Sequence, residues 1–122
     1  MMTAIVLLDA MVALEGLNTD KIIEIYADEF LFEDPSSNER ITDRTSLRKY
    51  YQQLFSLPEV NFSDIKILEA EHFATVEWTW GGVSGITGEL YRVRGVSVIE
   101  LSNGKVIRES LYYDPKPFWS RE

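Results

Sequence analysis

The spacing of apolar residues changes near the middle of the chain. In the first half they recur at helical spacing; the first segment is apolar nearly all round, and the last apolar face ends at Pro58. In the second half apolar and polar residues alternate, as in strands with one buried face. The pattern predicts three helices, at residues 4–16, about 18–28 and about 43–57, and a short β-prone run at residues 30–34.

Four longer strands are predicted in the second half. Trp78 and Trp80 fall on one face of the second strand and Thr79 on the other. Asn103 and Gly104 separate the last two apolar runs, and this dipeptide favours a tight hairpin because both turn residues need positive φ. The predicted strands are residues 62–70, 73–81, 89–101 and 105–114.

Helices followed by a run of strands form the order typical of an α+β fold. We therefore predict a curved antiparallel sheet with the three N-terminal helices packed on one face. A sheet that wraps around helices leaves space between the two layers, and the facing side chains are apolar. The expected architecture encloses an apolar pocket.

Composition and charge limit the possible partners. The chain has 122 residues, enough for one domain, residues 1–122, with its own core. The 12 Lys and Arg residues against 20 Asp and Glu residues give a net charge of −8. Nucleic acid and membrane are not expected partners, because both are bound mainly through basic side chains. With no cysteine and one histidine, zinc fingers, iron–sulfur clusters and His-rich metal sites are excluded, and a carboxylate metal site is without support, so no metal is expected.

The apolar N-terminal segment could be mistaken for a signal peptide or for a membrane-spanning segment, and its residues argue against both. It lacks the positively charged start of a signal peptide. It is also too short to span a bilayer, which needs about 20 apolar residues. We therefore expect a cytoplasmic protein.

Asp34 is the first candidate for proton transfer. It follows the large apolar residues 30–32 and precedes Pro35, so its carboxylate can point into an apolar interior. Desolvation there would raise its pKa and make it a usable general base. The alternative is a turn, because an Asp-Pro pair commonly accepts hydrogen bonds from the backbone N–H groups that follow.

Asp114 ends the last predicted strand and is the second candidate. Strict alternation puts it on one face with Tyr112, Ser110 and Arg108, and a carboxylate beside a phenol and a hydroxyl can hold a proton. Its alternative reading is again the start of a turn. Should Asp34 and Asp114 meet in one cavity, their repulsion would raise the pKa of one of them.

Two further groups of side chains have both structural and functional readings. The basic residues of the strands are expected to be solvated or paired with Glu100 and Glu109. Aromatic residues are either plain core or the lining of a pocket for a flat apolar ligand, with phenols supplying hydrogen bonds. The candidate ligand-binding residues are Tyr26, Tyr50, Trp78, Trp80 and Tyr112.

Several short motifs follow one another along the chain: Leu17-Asn18, Ile25-Tyr26-Ala27-Asp28, Phe32-Glu33-Asp34-Pro35, the helix from Arg44 to Tyr51, and Asn103-Gly104-Lys105-Val106. In their order and spacing, over nearly the whole chain, they resemble bacterial ketosteroid isomerases. The ending at residues 107–114 also resembles the SnoaL-like polyketide cyclases. Both groups belong to the nuclear transport factor 2-like superfamily of curved-sheet cone folds, so the resemblance implies a cone-shaped sheet.

The resemblance implies roles for both acids. Asp34 takes the place of the isomerases' general base, which moves a proton beside a ketone, whereas Ala13 and Ser97 stand where those enzymes place the two donors of their oxyanion hole. Asp114 resembles the single acid of the cyclases, which closes a ring by aldol chemistry without metal or cofactor. The superfamily also implies a homodimer that pairs through the outer face of the sheet.

Three functions remain open at this level. The first is a cofactor-free isomerase or cyclase that uses Asp34 or Asp114 as general acid/base on an apolar carbonyl substrate. The second is a non-catalytic protein that binds a hydrophobic ligand in the same pocket. The third is a dimeric interaction domain whose pocket is filled by Trp78 and Trp80.

Overall fold

The computed structural model describes residues 7–120, so the start of the first predicted helix lies outside the described residues. The elements follow the predicted order, with two that were not predicted: a short strand before the third helix and a short helix after the last strand. The helices are α1 (Leu8–Glu15), α2 (Thr19–Ile23), α3 (Arg44–Phe55) and α4 (Lys116–Trp119). The strands are β1 (Tyr26–Asp34), β2 (Glu39–Ile41), β3 (Asn61–Glu69), β4 (Phe73–Val83), β5 (Leu90–Ser102) and β6 (Lys105–Tyr113).

The strands form a single open, curved sheet in the order β2-β1-β6-β5-β4-β3, and the fold class is α+β as predicted. Neighbouring strands are antiparallel except β1 and β6, which run parallel. Parallel neighbours need a long connection, and here everything from β2 to β5 separates the two strands. The last strand of the chain, β6, therefore lies beside the first, β1, near one edge of the open sheet.

The second helix is shorter than predicted. It ends at Ile23 rather than near Asp28, and Tyr26 already belongs to β1, where it pairs with Val106. Ile22, Ile23 and Tyr26 follow helical spacing by coincidence, because the first two belong to α2 and Tyr26 belongs to β1. All three side chains are buried in the same core. As a result, Tyr26 projects from the sheet and not from a helix.

A β-bulge interrupts the pairing of β5 and β6. Glu100 pairs with Arg108 and Leu101 pairs with Val106, so Ile107 is an extra residue on β6. The bulge lets Val106 and Glu109 both face the interior, which strict alternation forbids. The predicted hairpin next to it is confirmed, since Asn103 and Gly104 have φ of 51° and 74°.

The core lies between the helices and the inner face of the sheet. α3 begins where the Asp43 carboxylate accepts the N–H of Ser46 at 2.9 Å, and it buries Leu47 and Tyr51 against the sheet. The aromatic side chains of β4 that were predicted to share a face, Trp78 and Trp80, are both buried there. In the part of the chain that the structure describes, no helix has the length and apolar character needed to cross a membrane.

Candidate functional site

A cavity of about 90 Å³ lies between the helices and the inner face of the sheet. Its helical side is mostly aliphatic and includes Leu7, Met11 and Leu14, whereas its sheet side carries five aromatic residues, Tyr26, Phe62, Trp78, Trp80 and Tyr113. The apolar pocket predicted between the helices and the sheet is therefore present. No Lys, Arg or His is among the described residues that line it.

Four of the five predicted ligand-binding residues line this cavity: Tyr26, Tyr50, Trp78 and Trp80. Tyr112 does not; it is 54% exposed on the outer face of the sheet. The next residue, Tyr113, lines the cavity in its place, because the inward face of β6 carries Glu109, Leu111 and Tyr113, and Tyr112 lies on the opposite face. That these residues bind a substrate stays a prediction.

Glu109 is the carboxyl group on the cavity wall. It is 6% exposed, and the Tyr26 hydroxyl donates a short hydrogen bond to its Oε1 atom. The Tyr26 and Tyr51 hydroxyls are in turn hydrogen-bonded at 2.8 Å. On the other side the hydroxyl of Ser97 contacts Glu109 and accepts the indole N–H of Trp78 at 3.0 Å. We call these five residues the Glu109 cluster.

Burial sets the protonation of this cluster. It raises the pKa of Glu109, and the hydrogen bonds from Tyr26 and Ser97 only partly oppose the effect. Burial, followed by the negative charge of Glu109, also raises the pKa values of Tyr26 and Tyr51. The two phenols therefore keep their protons, and Glu109 holds its proton to a higher pH than an exposed glutamic acid would.

Asp34 forms a second cluster with two tyrosines. It is 1% exposed, and its Oδ2 atom accepts the hydroxyls of Tyr113 at 2.7 Å and Tyr50 at 2.9 Å. Its Oδ1 atom is buried with no hydrogen-bond partner in the described residues. Tyr50 and Tyr113 line the cavity, whereas Asp34 lies behind them and does not. Burial, together with the Asp34 carboxylate, raises the pKa values of both phenols.

Asp114 lies on the surface. Its Oδ1 atom accepts the backbone N–H of Lys116 at 3.0 Å, which is the turn alternative of the sequence analysis. The structure thus keeps Asp34 and Asp114 apart, one inside and one exposed, and neither lines the cavity. The two acids do not share a site.

The sequence analysis missed Glu109 as a cavity residue and assigned it to a cross-strand ion pair. In the structure Arg108 makes that kind of contact with Glu33 at 3.1 Å and with Glu100 at 3.9 Å, and Glu109 faces the other way. Glu109 alternates along β6 with Leu111 and Tyr113, and all three face the cavity. The sequence signal that could have placed Glu109 there is its position on the same strand face as Leu111.

The described residues, 7–120, contain no cluster of three or more His, Cys, Asp or Glu side chains that could hold a metal ion. The chemistry that the arrangement can perform with its own residues is proton transfer and hydrogen bonding inside an apolar wall. A carboxyl group whose pKa lies above its ordinary value and a set of protonated phenols are suited to both tasks.

Comparison with known proteins places the chain among curved-sheet folds. A family model described as a SnoaL-like domain matches residues 8–109. A Catenulispora acidiphila protein with a ketosteroid isomerase-like fold, solved in complex with trimethylamine, aligns with a TM-score of 0.81 at 15% identity. That alignment covers 96% of this chain and 91% of the other.

Two further solved structures share this fold. A Pseudomonas putida protein provisionally named a polyketide cyclase aligns with a TM-score of 0.78 at 15% identity, over 96% of each chain. A Bacillus subtilis protein provisionally named an isomerase aligns at 0.73 with 22% identity, over 90% of this chain and 84% of that one. At these identities the likeness establishes the fold and not the activity. No curated protein matches the sequence.

Proposed function

The chain belongs to the SnoaL-like domain family, and we propose that it is a cofactor-free isomerase or cyclase that moves a proton beside the carbonyl group of a small apolar substrate. One observation carries the proposal: Glu109 lies on the wall of an apolar cavity with a pKa above its ordinary value. Such a carboxyl holds its proton to a higher pH than an exposed glutamic acid does, and it can both take and return a proton.

Glu109 acts as the general acid/base in this proposal. Its carboxylate takes a proton from the carbon next to the carbonyl, which leaves an enolate. In an isomerase the protonated Glu109 then returns that proton to another carbon of the same substrate; in a cyclase the enolate carbon attacks a second carbonyl and Glu109 protonates the new alkoxide. Both sequences balance without an added reagent, and protonated phenols on the wall supply hydrogen bonds to the developing charge.

Asp34 has a supporting role in the same proposal. Because it lies behind Tyr50 and Tyr113, it positions their rings in the cavity wall and does not touch the substrate. The general-base role expected for Asp34 thus passes to Glu109. Asp114 is not part of the proposed mechanism, since its carboxylate is exposed and caps a turn.

The size of the cavity limits the substrate. A cavity of about 90 Å³ is smaller than the roughly 150 Å³ that accommodates benzene in a protein interior. The trimethylamine complex of the Catenulispora protein supports a compact ligand for this fold. The substrate class is therefore a small carbonyl compound, which favours the isomerase over the cyclase because aldol ring closure needs a longer dicarbonyl chain. The lack of basic side chains among the described lining residues disfavours an anion.

Proton exchange tests this function directly. In deuterated water, NMR follows the loss of α-proton signals from small ketones such as butanone in the presence of the protein. Glu109→Gln keeps the size of the side chain but cannot transfer the proton, and we expect the catalysed exchange to fall about 100-fold or more. The surface variant Asp114→Asn is the matched control and should keep the full rate.

Two results would contradict the proposal. The first is exchange that Glu109→Gln leaves intact. The second is ketone binding, seen as shifts of cavity amide signals, without any exchange above buffer, which would favour the non-catalytic ligand-binding alternative.

We also propose that the chain forms a homodimer through the outer face of the sheet. Leu68, Phe73, Val98 and Tyr112 project from that face and are between 42% and 62% exposed. Apolar side chains grouped on one open face are typical of an interaction surface. Sedimentation at micromolar concentration should give twice the 14.1 kDa of one chain, and Val98→Lys should return it to that value. A wild-type monomer would contradict this proposal.

A further inference from the structure

The charge on the cavity wall has one sign. Within residues 7–120, the cavity lining includes one acidic residue, Glu109, and no basic residue. The titratable group that contacts Glu109 from β1 is Tyr26, and the one whose pKa it raises from α3 is Tyr51; the contact from β5 is the hydroxyl of Ser97. Each of these is neutral.

Ionised Glu109 therefore has no counter-ion among the described side chains that line the cavity. Among residues 7–120 it takes part in no salt bridge, while Glu33 and Glu77, on the outer face of the sheet, are paired with arginines. A buried carboxylate without a cation is costly, and either the group stays protonated or a positive charge is brought to it. None of the described residues that line the cavity supplies that charge, whereas a cationic ligand would bring it.

Aromatic rings next to the carboxyl provide a second attraction for a cation. The rings of Trp78 and Tyr113 lie 5.7 Å apart, those of Trp80 and Tyr113 6.2 Å apart, each pair edge to face. Trp78 leans across β5, since a Cβ atom at Gly95 would lie 2.2 Å from its ring. We call these three rings the aromatic corner. Cations bind to the faces of such rings, and most strongly to tryptophan.

From the carboxyl and the aromatic corner together, we infer that the cavity is a binding site for a small alkylammonium cation, whose N–H groups donate to Glu109 and whose alkyl part contacts the rings. This inference goes beyond the proposed enzymatic function and does not depend on it. The volume of about 90 Å³ restricts the ligand to a compact amine. The net charge of −8 favours the approach of a cation over that of an anion.

Binding of the cation is linked to the proton on Glu109. The cation pairs with the ionised carboxylate, so a protonated Glu109 releases its proton to solvent when the cation enters. Because burial raises the pKa of this carboxyl, affinity should rise with pH until that pKa is passed and then level off. A neutral ligand of the same shape has no such dependence.

A matched pair of ligands tests the inference. Isopropylammonium and 2-propanol have the same number of non-hydrogen atoms and nearly the same shape, but only the first is charged. Protein amide signals are followed by NMR during titration with each ligand at constant ionic strength, at a pH above the pKa of Glu109. We expect the cation to bind roughly tenfold more tightly than the alcohol.

Two variants locate the effect. Glu109→Gln should remove the preference for the cation while leaving the weak binding of 2-propanol. Glu33→Gln, which removes a charge on the other side of the sheet, should leave the preference unchanged. Equal affinity for the two ligands, binding of neither, or a preference that survives in Glu109→Gln would overturn the inference.

The wild-type protein keeps the test valid if Glu109→Gln does not fold. Its affinity for isopropylammonium is measured across the pH range in which Glu109 titrates, with 2-propanol as the reference. An increase with pH for the cation alone supports the site. A ratio that stays constant across this range overturns it.

Discussion

Asp34 and Glu109 are both buried carboxyls that accept hydrogen bonds from tyrosines, yet only Glu109 lines the cavity. Asp34 accepts two phenols on one oxygen atom, and those phenols separate it from the ligand space. Glu109 accepts one phenol and one serine hydroxyl and remains on the wall. The comparison teaches that burial alone does not identify the acid that meets a ligand; its position relative to the surrounding rings does.

The largest expected effect comes from removing the acceptor at Asp34. Asp34→Leu leaves the hydroxyls of Tyr50 and Tyr113 without their partner, and we expect the free energy of unfolding to fall by about 3 kcal/mol. Urea denaturation measures the change. Asp34→Asn keeps an acceptor oxygen and should lose about 1 kcal/mol, and Asp114→Asn should stay within about 0.5 kcal/mol of wild type. An Asp34→Leu variant as stable as wild type would show that this cluster does not anchor the wall.

A second change disturbs the Glu109 side without touching Asp34. Gly95→Ala places a methyl group where the Trp78 ring lies, and we expect a loss of about 2 kcal/mol in the free energy of unfolding. The near-ultraviolet circular dichroism of Trp78 should change as the ring moves. Gly85→Ala is the control, because a Cβ atom there meets nothing within 4 Å. Equal effects of the two substitutions would contradict this account of Trp78.

Glu109 should lower the free energy of unfolding as pH rises, which is the opposite of the effect of a carboxyl whose pKa is lowered by folding. Its pKa is raised in the folded state, so the folded protein binds more protons than the unfolded chain between the two pKa values. The contribution to stability is fully present below the unfolded pKa of about 4.3 and is lost as pH rises through the folded pKa. We expect a loss of about 1.4 kcal/mol for each unit of the shift.

Glu109→Gln should remove this slope from the pH series of urea denaturation curves. Glu33→Gln, at a partly exposed carboxyl, should keep it. A slope that persists in Glu109→Gln would mean that another group carries the pH dependence.

The smallest expected effect comes from Ser97, the residue of the Glu109 cluster that contacts both Glu109 and Trp78. Ser97→Ala removes the acceptor of the Trp78 indole N–H, and we expect the free energy of unfolding to fall by about 1 kcal/mol. The same change withdraws a hydrogen bond that lowers the pKa of Glu109, so the carboxyl should titrate at a higher pH in carbon-detected NMR. An unchanged titration would mean that Ser97 serves Trp78 alone.

Much of the fold could be predicted because local patterns determine it. Asn103 and Gly104 specify their turn, and alternation along β4 places Trp78 and Trp80 on one face. The boundary between α2 and β1 could not be predicted, since Tyr26 continues the helical spacing by chance and its strand partner, Val106, is distant in sequence. Pairing between remote segments decides such boundaries.

The site was predicted in its aromatic part and missed in its acidic part. The apolar wall follows from periodicity, which is local. Alternation after the bulge at Ile107 also groups the residues of β6 correctly, but it does not say which group faces inward. The prediction took the face of Tyr112 and Asp114 as the inner one, whereas the cavity receives Glu109 and Tyr113.

The bulge at Ile107 also determines which single-residue deletions in β6 leave the lining of the cavity unchanged. Deleting Ile107 restores regular alternation and leaves Val106 and Glu109 facing inward, so the ligand space keeps its lining. Deleting Ser110 instead exchanges the residues that follow, and Tyr112 replaces Tyr113 at the wall. Two deletions three residues apart would thus have opposite consequences for ligand binding, and natural length variants of this strand should be found at the first position and not at the second.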